Sequence, residues 1–219
     1  MVTHVPPRVP MEPVLTDLPA GSGLWRCHPT GCPAAGFNPV LSHRYFDGGR
    51  FDGTADDAYR FLYAAPEPLT ALAETLLRDV PYSAAGTRVV PWVSAVQRSL
   101  TRLRVTEDLK LVRLVSQADL AAVFQDAWLL EGESDRYGAT RYWAQEIRRY
   151  APAAQGMVWQ SRRNRPYHAV VFFSDRCEGE PVKAVEEQSY HLGTFEGVAK
   201  ANRLLAPLRA MILPPGIRP

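Results

Sequence analysis

Apolar residues fall into short stretches separated by Pro- and Gly-rich segments, and the spacing within each stretch predicts its element. Leu24-Trp25-Arg26-Cys27 is short and bulky like a strand, and the run from Arg60 to Ala64 reads as a second. Pro66 and Pro68 stop that strand. Leu69, Leu72, Ala73, Leu76 and Leu77 then recur at helical spacing, which predicts a helix over 69–78 with Glu74 near the edge of its apolar face. After a loop carrying Pro81, Gly86 and Pro91, a helix is expected over 93–103, then a strand over 109–115. Ser116 with Asp119 forms a capping box that opens a helix through Phe124. A further helix over 139–150 ends at Pro152, and strands over 157–161 and 169–173 flank the basic turn Arg162-Arg163-Asn164-Arg165-Pro166. A last helix over 195–205 precedes a Pro-rich tail. Strands and helices mix without βαβ alternation, so the expected class is α+β: one domain of small mixed sheets with flanking helices.

The edges of the chain read differently. Residues 1–22 carry Pro6, Pro7, Pro10, Pro13 and Pro19 and are expected to form an extended arm. The folded domain is expected over 23–175, with a C-terminal extension over 176–219 packed on it. The Pro- and Gly-rich loop that follows the first strand and runs through residue 49 is long enough to imply a function of its own.

Composition narrows the function classes. At 219 residues and 46% hydrophobic content, the chain fits one domain with a full core. Its 25 basic and 23 acidic residues leave a net charge of +2, which makes no case for a nucleic acid or an anionic membrane and favours a small-molecule partner. Only Lys110, Lys183 and Lys200 among the basic residues are Lys; the rest are Arg, whose rigid forks suit phosphate. Cys27, Cys32 and Cys177 follow no signal-like N-terminus, so a reducing cytoplasm is expected. No apolar stretch reaches the ~18 residues needed to span a bilayer.

The usual phosphate-loop, dinucleotide, zincin and hydrolase-elbow signatures are missing from the sequence. Cys27-His28 with Cys32 lacks a fourth ligand at metal-site spacing, so no metal is expected and reduced thiols are the better reading. The sharper signal is a set of polar residues on the expected strands or at their ends: Arg26, Arg50, Tyr63, Glu74 and Ser161. Taken singly, each has a plain structural explanation as an edge-strand residue, a core aromatic, a solvated helix position or a strand-end hydroxyl.

Taken in order, their contexts are Leu24-Trp25-Arg26, Gly48-Gly49-Arg50-Phe51-Asp52, Phe61-Leu62-Tyr63-Ala64-Ala65 and Leu72-Ala73-Glu74-Thr75-Leu76. Tyr142-Trp143-Ala144, then Gly156-Met157-Val158-Trp159-Gln160-Ser161-Arg162-Arg163 and Val170-Val171-Phe172-Phe173, complete the series. Over residues 23–175 this series resembles the RES-domain family, named for an Arg, a Glu and a Ser in that order. The resemblance implies a toxin half of a bacterial toxin-antitoxin pair, with a fold like ADP-ribosylating toxins and an activity that consumes NAD⁺ as substrate, without a further cofactor. The implied partners are NAD, phosphate as an acceptor and a helix-turn-helix antitoxin. Two features depart from the family pattern: Asp52 replaces an Asn after the aromatic residue, and the Pro29 to Ser42 region is long.

The chemistry of these residue types fits that activity. Breaking the nicotinamide–ribose bond develops positive charge on the sugar, which a carboxylate, here Glu74, can stabilise. Arg26 and Arg50 can clamp a pyrophosphate bidentately. Gly48 and Gly49 either let a ligand approach the backbone or simply make a tight turn. Tyr63 can stack on nicotinamide. Ser161 offers a hydroxyl to ribose or phosphate and is not read as a nucleophile, since no His pairs with it in the sequence. The leading expectation is cleavage of NAD⁺ by phosphorolysis or hydrolysis; the alternatives are transfer of ADP-ribose to a protein and a non-catalytic nucleotide-binding or interaction module.

Overall fold

The computed structural model describes Pro6 and residues 9–216. Along the chain come β1 (Leu15–Leu18), β2 (Gly23–Pro29), β3 (Phe61–Ala64), α1 (Pro68–Leu76), β4 (Arg88–Pro91), α2 (Trp92–Ala95), β5 (Arg98–Val105) and β6 (Leu109–Leu114). Next are α3 (Gln117–Ala122), α4 (Trp128–Glu131), α5 (Tyr137–Tyr150), β7 (Gly156–Gln160), β8 (His168–Phe173), β9 (Val182–His191), α6 (Phe195–Leu205) and β10 (Ala210–Leu213). The α+β class stands.

Two sheets face each other. One has the order β1-β6-β7-β8-β3 and the other β2-β5-β9, while β10 and β4 form a separate parallel pair. β6 and β7 run parallel, and the other neighbours in both larger sheets are antiparallel. Leu24, Leu62, Leu103, Leu111, Val170 and Phe172 fill the space between the sheets. The outer face of the five-stranded sheet is covered by α3, α4 and α5 through Leu120, Leu129, Trp143 and Ile147. The outer face of the three-stranded sheet is covered by α1 and α6 through Leu72, Leu76, Ala201 and Leu205. β7 and β8 lie inside this stack and read as almost unbroken apolar runs because both of their faces are buried.

The expected helix over 93–103 is corrected to the one-turn α2 followed by β5, the central strand of the smaller sheet. Val93, Val96, Leu100 and Leu103 have helical spacing, which is what misleads. Pairing of β5 with β2 on one side and β9 on the other outweighs that local pattern and turns Ser99, Thr101 and Leu103 to one face. β1 lies within the expected arm and pairs with β6, while β9 and β10 lie in the expected extension and pair with β5 and β4. Residues 1–5 and 7–8 of the arm and 217–219 of the tail fall outside the described residues.

The two larger sheets are joined where β3 runs on into Ala65. Trp25 and Ala65 exchange both backbone hydrogen bonds, at 2.6 and 2.9 Å. Immediately afterwards Pro68, at the first turn of α1, starts the helix with a preset φ and no orphaned N–H. α1 is thereby launched beside β2 at the seam between the sheets.

Candidate active site

At that seam lies a cavity of about 590 Å³ whose lining includes Arg26, Arg50, Tyr63 and Glu74, together with Arg78 and Arg162. Four of the five residues singled out from the sequence are thus brought together from β2, the loop before β3, β3 itself and α1. The fifth, Ser161, stands behind Glu74, fully buried at 0% exposure.

Helical geometry explains how Glu74 reaches the cavity. Ala71, Glu74 and Thr75 are spaced i, i+3 and i+4, so they form one stripe along α1, and all three line the cavity together with Arg78, two residues past the end of the helix. Glu74 Oε1 accepts a 2.5 Å hydrogen bond from Ser161 Oγ. The serine oxygen in turn accepts from the backbone N–H groups of Arg163 and Asn164, at 3.2 and 3.0 Å, which leaves its proton directed at the carboxylate. Asn164 Nδ2 donates to Thr70 Oγ1 at 2.8 Å, so the basic turn is fastened to α1 at Thr70 and, one helical turn later, at Glu74. Ser161 therefore orients the carboxylate.

The two expected anion-binding arginines are buried, each 8% exposed. Arg26 Nη1 donates to the carbonyls of Ala34 and Gly36, at 2.7 and 2.6 Å, and so ties down the long loop after β2. Burial pulls its pKa down to about 10, against weaker opposing effects of Cys32 and Cys27. Arg50 Nη1 and Nη2 donate to the carbonyls of Leu129 and Gly132, at 2.7 and 3.0 Å, and its guanidinium lies 4.9 Å from the centre of the Tyr137 ring. Burial lowers the Arg50 pKa too, with Tyr137 and Glu74 acting the other way. Among the described residues no ion pair includes Arg26, Arg50 or Arg78. Arg26, Arg50 and Arg78 thus leave positive charge on the cavity wall that no carboxylate of the described residues pairs with, whereas Arg162 is paired with Glu133.

Tyr63 is committed to the loop that carries Arg50. Its hydroxyl donates to Asp52 Oδ1 at 2.8 Å and accepts from the Phe51 N–H at 2.9 Å. Burial, with Asp52 adding to it, raises its pKa well above the ordinary value, so Tyr63 stays a neutral phenol. Asp52 Oδ2 also accepts from Ser42 Oγ and from the Gly49 N–H, both at 2.6 Å. That packing accounts for the Gly-Gly pair: a Cβ at Gly48, whose φ is +71°, would lie 2.1 Å from Ser42 Oγ, and one at Gly49 would lie 2.5 Å from Asp52 Oδ1.

The wall formed by β2 also carries His28. Nδ1 lies 3.0 Å from the Pro29 carbonyl and Nε2 lies 3.0 Å from Thr101 Oγ1, so both ring nitrogens are engaged, and burial lowers its pKa. Beyond the five expected residues, sequence reasoning missed Arg78 and Arg162. Helical spacing from Glu74 would have found the first, and adjacency to Ser161 the second. Thr140 and Arg141, which grip the Arg50 loop from behind, left no local signal at all.

The RES domain family model matches residues 23–193, and the chain belongs to this family. Among solved structures it is similar to a chain of the M. tuberculosis MbcT-MbcA toxin-antitoxin complex, with 16% sequence identity and a TM-score of 0.59 over 87% of this chain and 92% of that one. That likeness is one of fold. No curated protein matches the chain.

Proposed function

We propose that this protein degrades NAD⁺ by breaking the nicotinamide–ribose bond, and that it is the toxin of a toxin-antitoxin pair acting in the cytoplasm. The observation that carries the reading is the Glu74 carboxylate, fixed by a buried serine and set into a cavity also lined by Arg26, Arg50 and Arg78, none of them in an ion pair among the described residues. Membership of the RES family and the fold likeness to a chain from a toxin-antitoxin complex support it.

In this reading Arg26 and Arg50, with Arg78 and Arg162 nearby, hold the pyrophosphate, and the nicotinamide-bearing ribose lies against Glu74. The C–N bond breaks with its electron pair going to nicotinamide, which leaves neutral, and the positive charge that grows on the sugar faces the carboxylate. An oxygen of phosphate or water then bonds to the same carbon; water gives up a proton to the solvent. Ser161 keeps Glu74 oriented, so that little reorganisation is needed as charge develops. Tyr63 holds the Arg50 loop and presents its ring to the cavity wall.

Proton NMR of the purified protein with NAD⁺, with and without inorganic phosphate, tests the reading. Free nicotinamide is expected in the supernatant, with a phosphorylated ADP-ribose if phosphate is the acceptor and ADP-ribose if water is. NAD⁺ left intact under both conditions would overturn it.

A further inference from the structure

Loop 46–52 has no regular secondary structure, yet side chains hold the carbonyls of residues 46 to 51 and the N–H groups of Gly49 and Phe51. Arg141 Nη2 donates to the Phe46 carbonyl at 3.1 Å, and Nη1 donates to the carbonyls of Asp47 and Gly49 at 2.7 and 3.0 Å. Thr140 Oγ1 donates to the Arg50 carbonyl at 2.8 Å, and Tyr59 Oη to the Phe51 carbonyl at 2.8 Å. On the opposite side Asp52 takes the Gly49 N–H, and Tyr63 takes the Phe51 N–H. Gly49 is therefore gripped from both ends of its backbone, by an anion at its N–H and a cation at its carbonyl.

The loop needs this grip. Asp47 has a φ of 53°, a left-handed conformation uncommon outside Gly, next to Gly48 at 71°, and the contacts around the loop hold it there. Arg141 is 3% exposed, has no carboxylate partner among the described ion pairs and does not line the cavity. Its buried guanidinium is spent on three carbonyls of one loop, and the residue that follows those carbonyls is Arg50.

We propose that Arg141 is a positioning residue for the anion site: by fixing the carbonyls of residues 46, 47 and 49 it sets where the Arg50 guanidinium stands, and it governs substrate affinity through Arg50 without touching substrate. The role in affinity rests on the NAD⁺ reading above; the role in ordering the loop does not.

Three measurements on the full chain test it, with Arg141→Lys as the variant and Arg149→Lys, an exposed residue of the same helix paired with Glu146, as a control. Arg141→Lys should weaken binding of ADP-ribose, measured by calorimetry, and raise the KM for NAD⁺ by about tenfold with kcat changed far less, because the fork that spans three carbonyls is lost. In an Arg50→Lys background the same change should cost less than about twofold, since the effect passes through Arg50. Amide exchange over residues 46–52 should rise in Arg141→Lys and stay unchanged in Arg149→Lys. A lowered Tm with unchanged affinity, or equal losses with and without Arg50, would overturn the proposal. If the wild-type protein binds no ADP-ribose, the NAD⁺ reading falls, and unchanged exchange over 46–52 would then remove the ordering role as well.

Discussion

Two buried arginines in this molecule meet opposite surroundings. Arg148, 3% exposed, lies between the carboxylates of Asp57 and Asp175 at 2.8 and 2.7 Å, with its guanidinium 3.8 Å from the Tyr59 ring centre and 4.3 Å from that of Phe173. Burial opposes its charge, but the two carboxylates outweigh burial and hold its pKa above the ordinary value. Arg50 has backbone carbonyls and the face of Tyr137 but no carboxylate, and burial wins, lowering its pKa. The first cluster is electrically closed and fastens α5 to the chain around Asp57 and to the end of β8. The second carries uncompensated positive charge at a cavity, an arrangement an anionic ligand would complete. Burial alone does not single out a candidate anion-binding arginine; burial without a countercharge, facing open space, does.

The contrast can be broken at several points. The largest effect is expected from Glu74→Gln, which keeps shape and removes charge: nicotinamide release should fall at least ~100-fold, on the order of 3 kcal/mol, while NAD⁺ binding survives. Arg148→Met should instead cost stability, about 3 kcal/mol in a urea titration, at the low end for a broken buried pair because Asp57 and Asp175 are 26% and 38% exposed. ADP-ribose affinity should not change in that variant. Arg50→Lys should reverse the pattern, weakening ADP-ribose binding about tenfold through loss of the planar fork, with a smaller loss of stability. Ser116→Ala, remote from both clusters, should cost about 1 kcal/mol by removing the cap of α3 and leave binding untouched.

The sequence discloses local structure where one physical signal dominates. The Ser116–Asp119 capping box is present, and α6 spans the expected 195–205. Apolar runs mark β7 and β8. β9 escaped notice because its Val-Lys-Ala-Val-Glu-Glu-Gln-Ser-Tyr-His sequence is charged and largely exposed, as suits a strand at the edge of its sheet. β5 was hidden by helical spacing that long-range pairing overrides.

The candidate site shows the same division. Arg26, Arg50, Tyr63 and Glu74 could be picked out by residue type and order, and the cavity gathers them. What order could not give is the use of each group. Ser161 meets Glu74 across 87 positions of chain, and Arg141 reaches the loop before Arg50 across more than 90, so neither contact has a local spacing to reveal it.

A crystal structure of the Glu74→Gln variant with NAD⁺ tests the central claim most directly, since it slows the reaction without emptying the cavity. The account predicts an intact dinucleotide with its pyrophosphate against Arg26 and Arg50 and the nicotinamide-bearing ribose against the side chain at position 74. A dinucleotide bound elsewhere, or in the cavity with that ribose turned away from position 74, would contradict it.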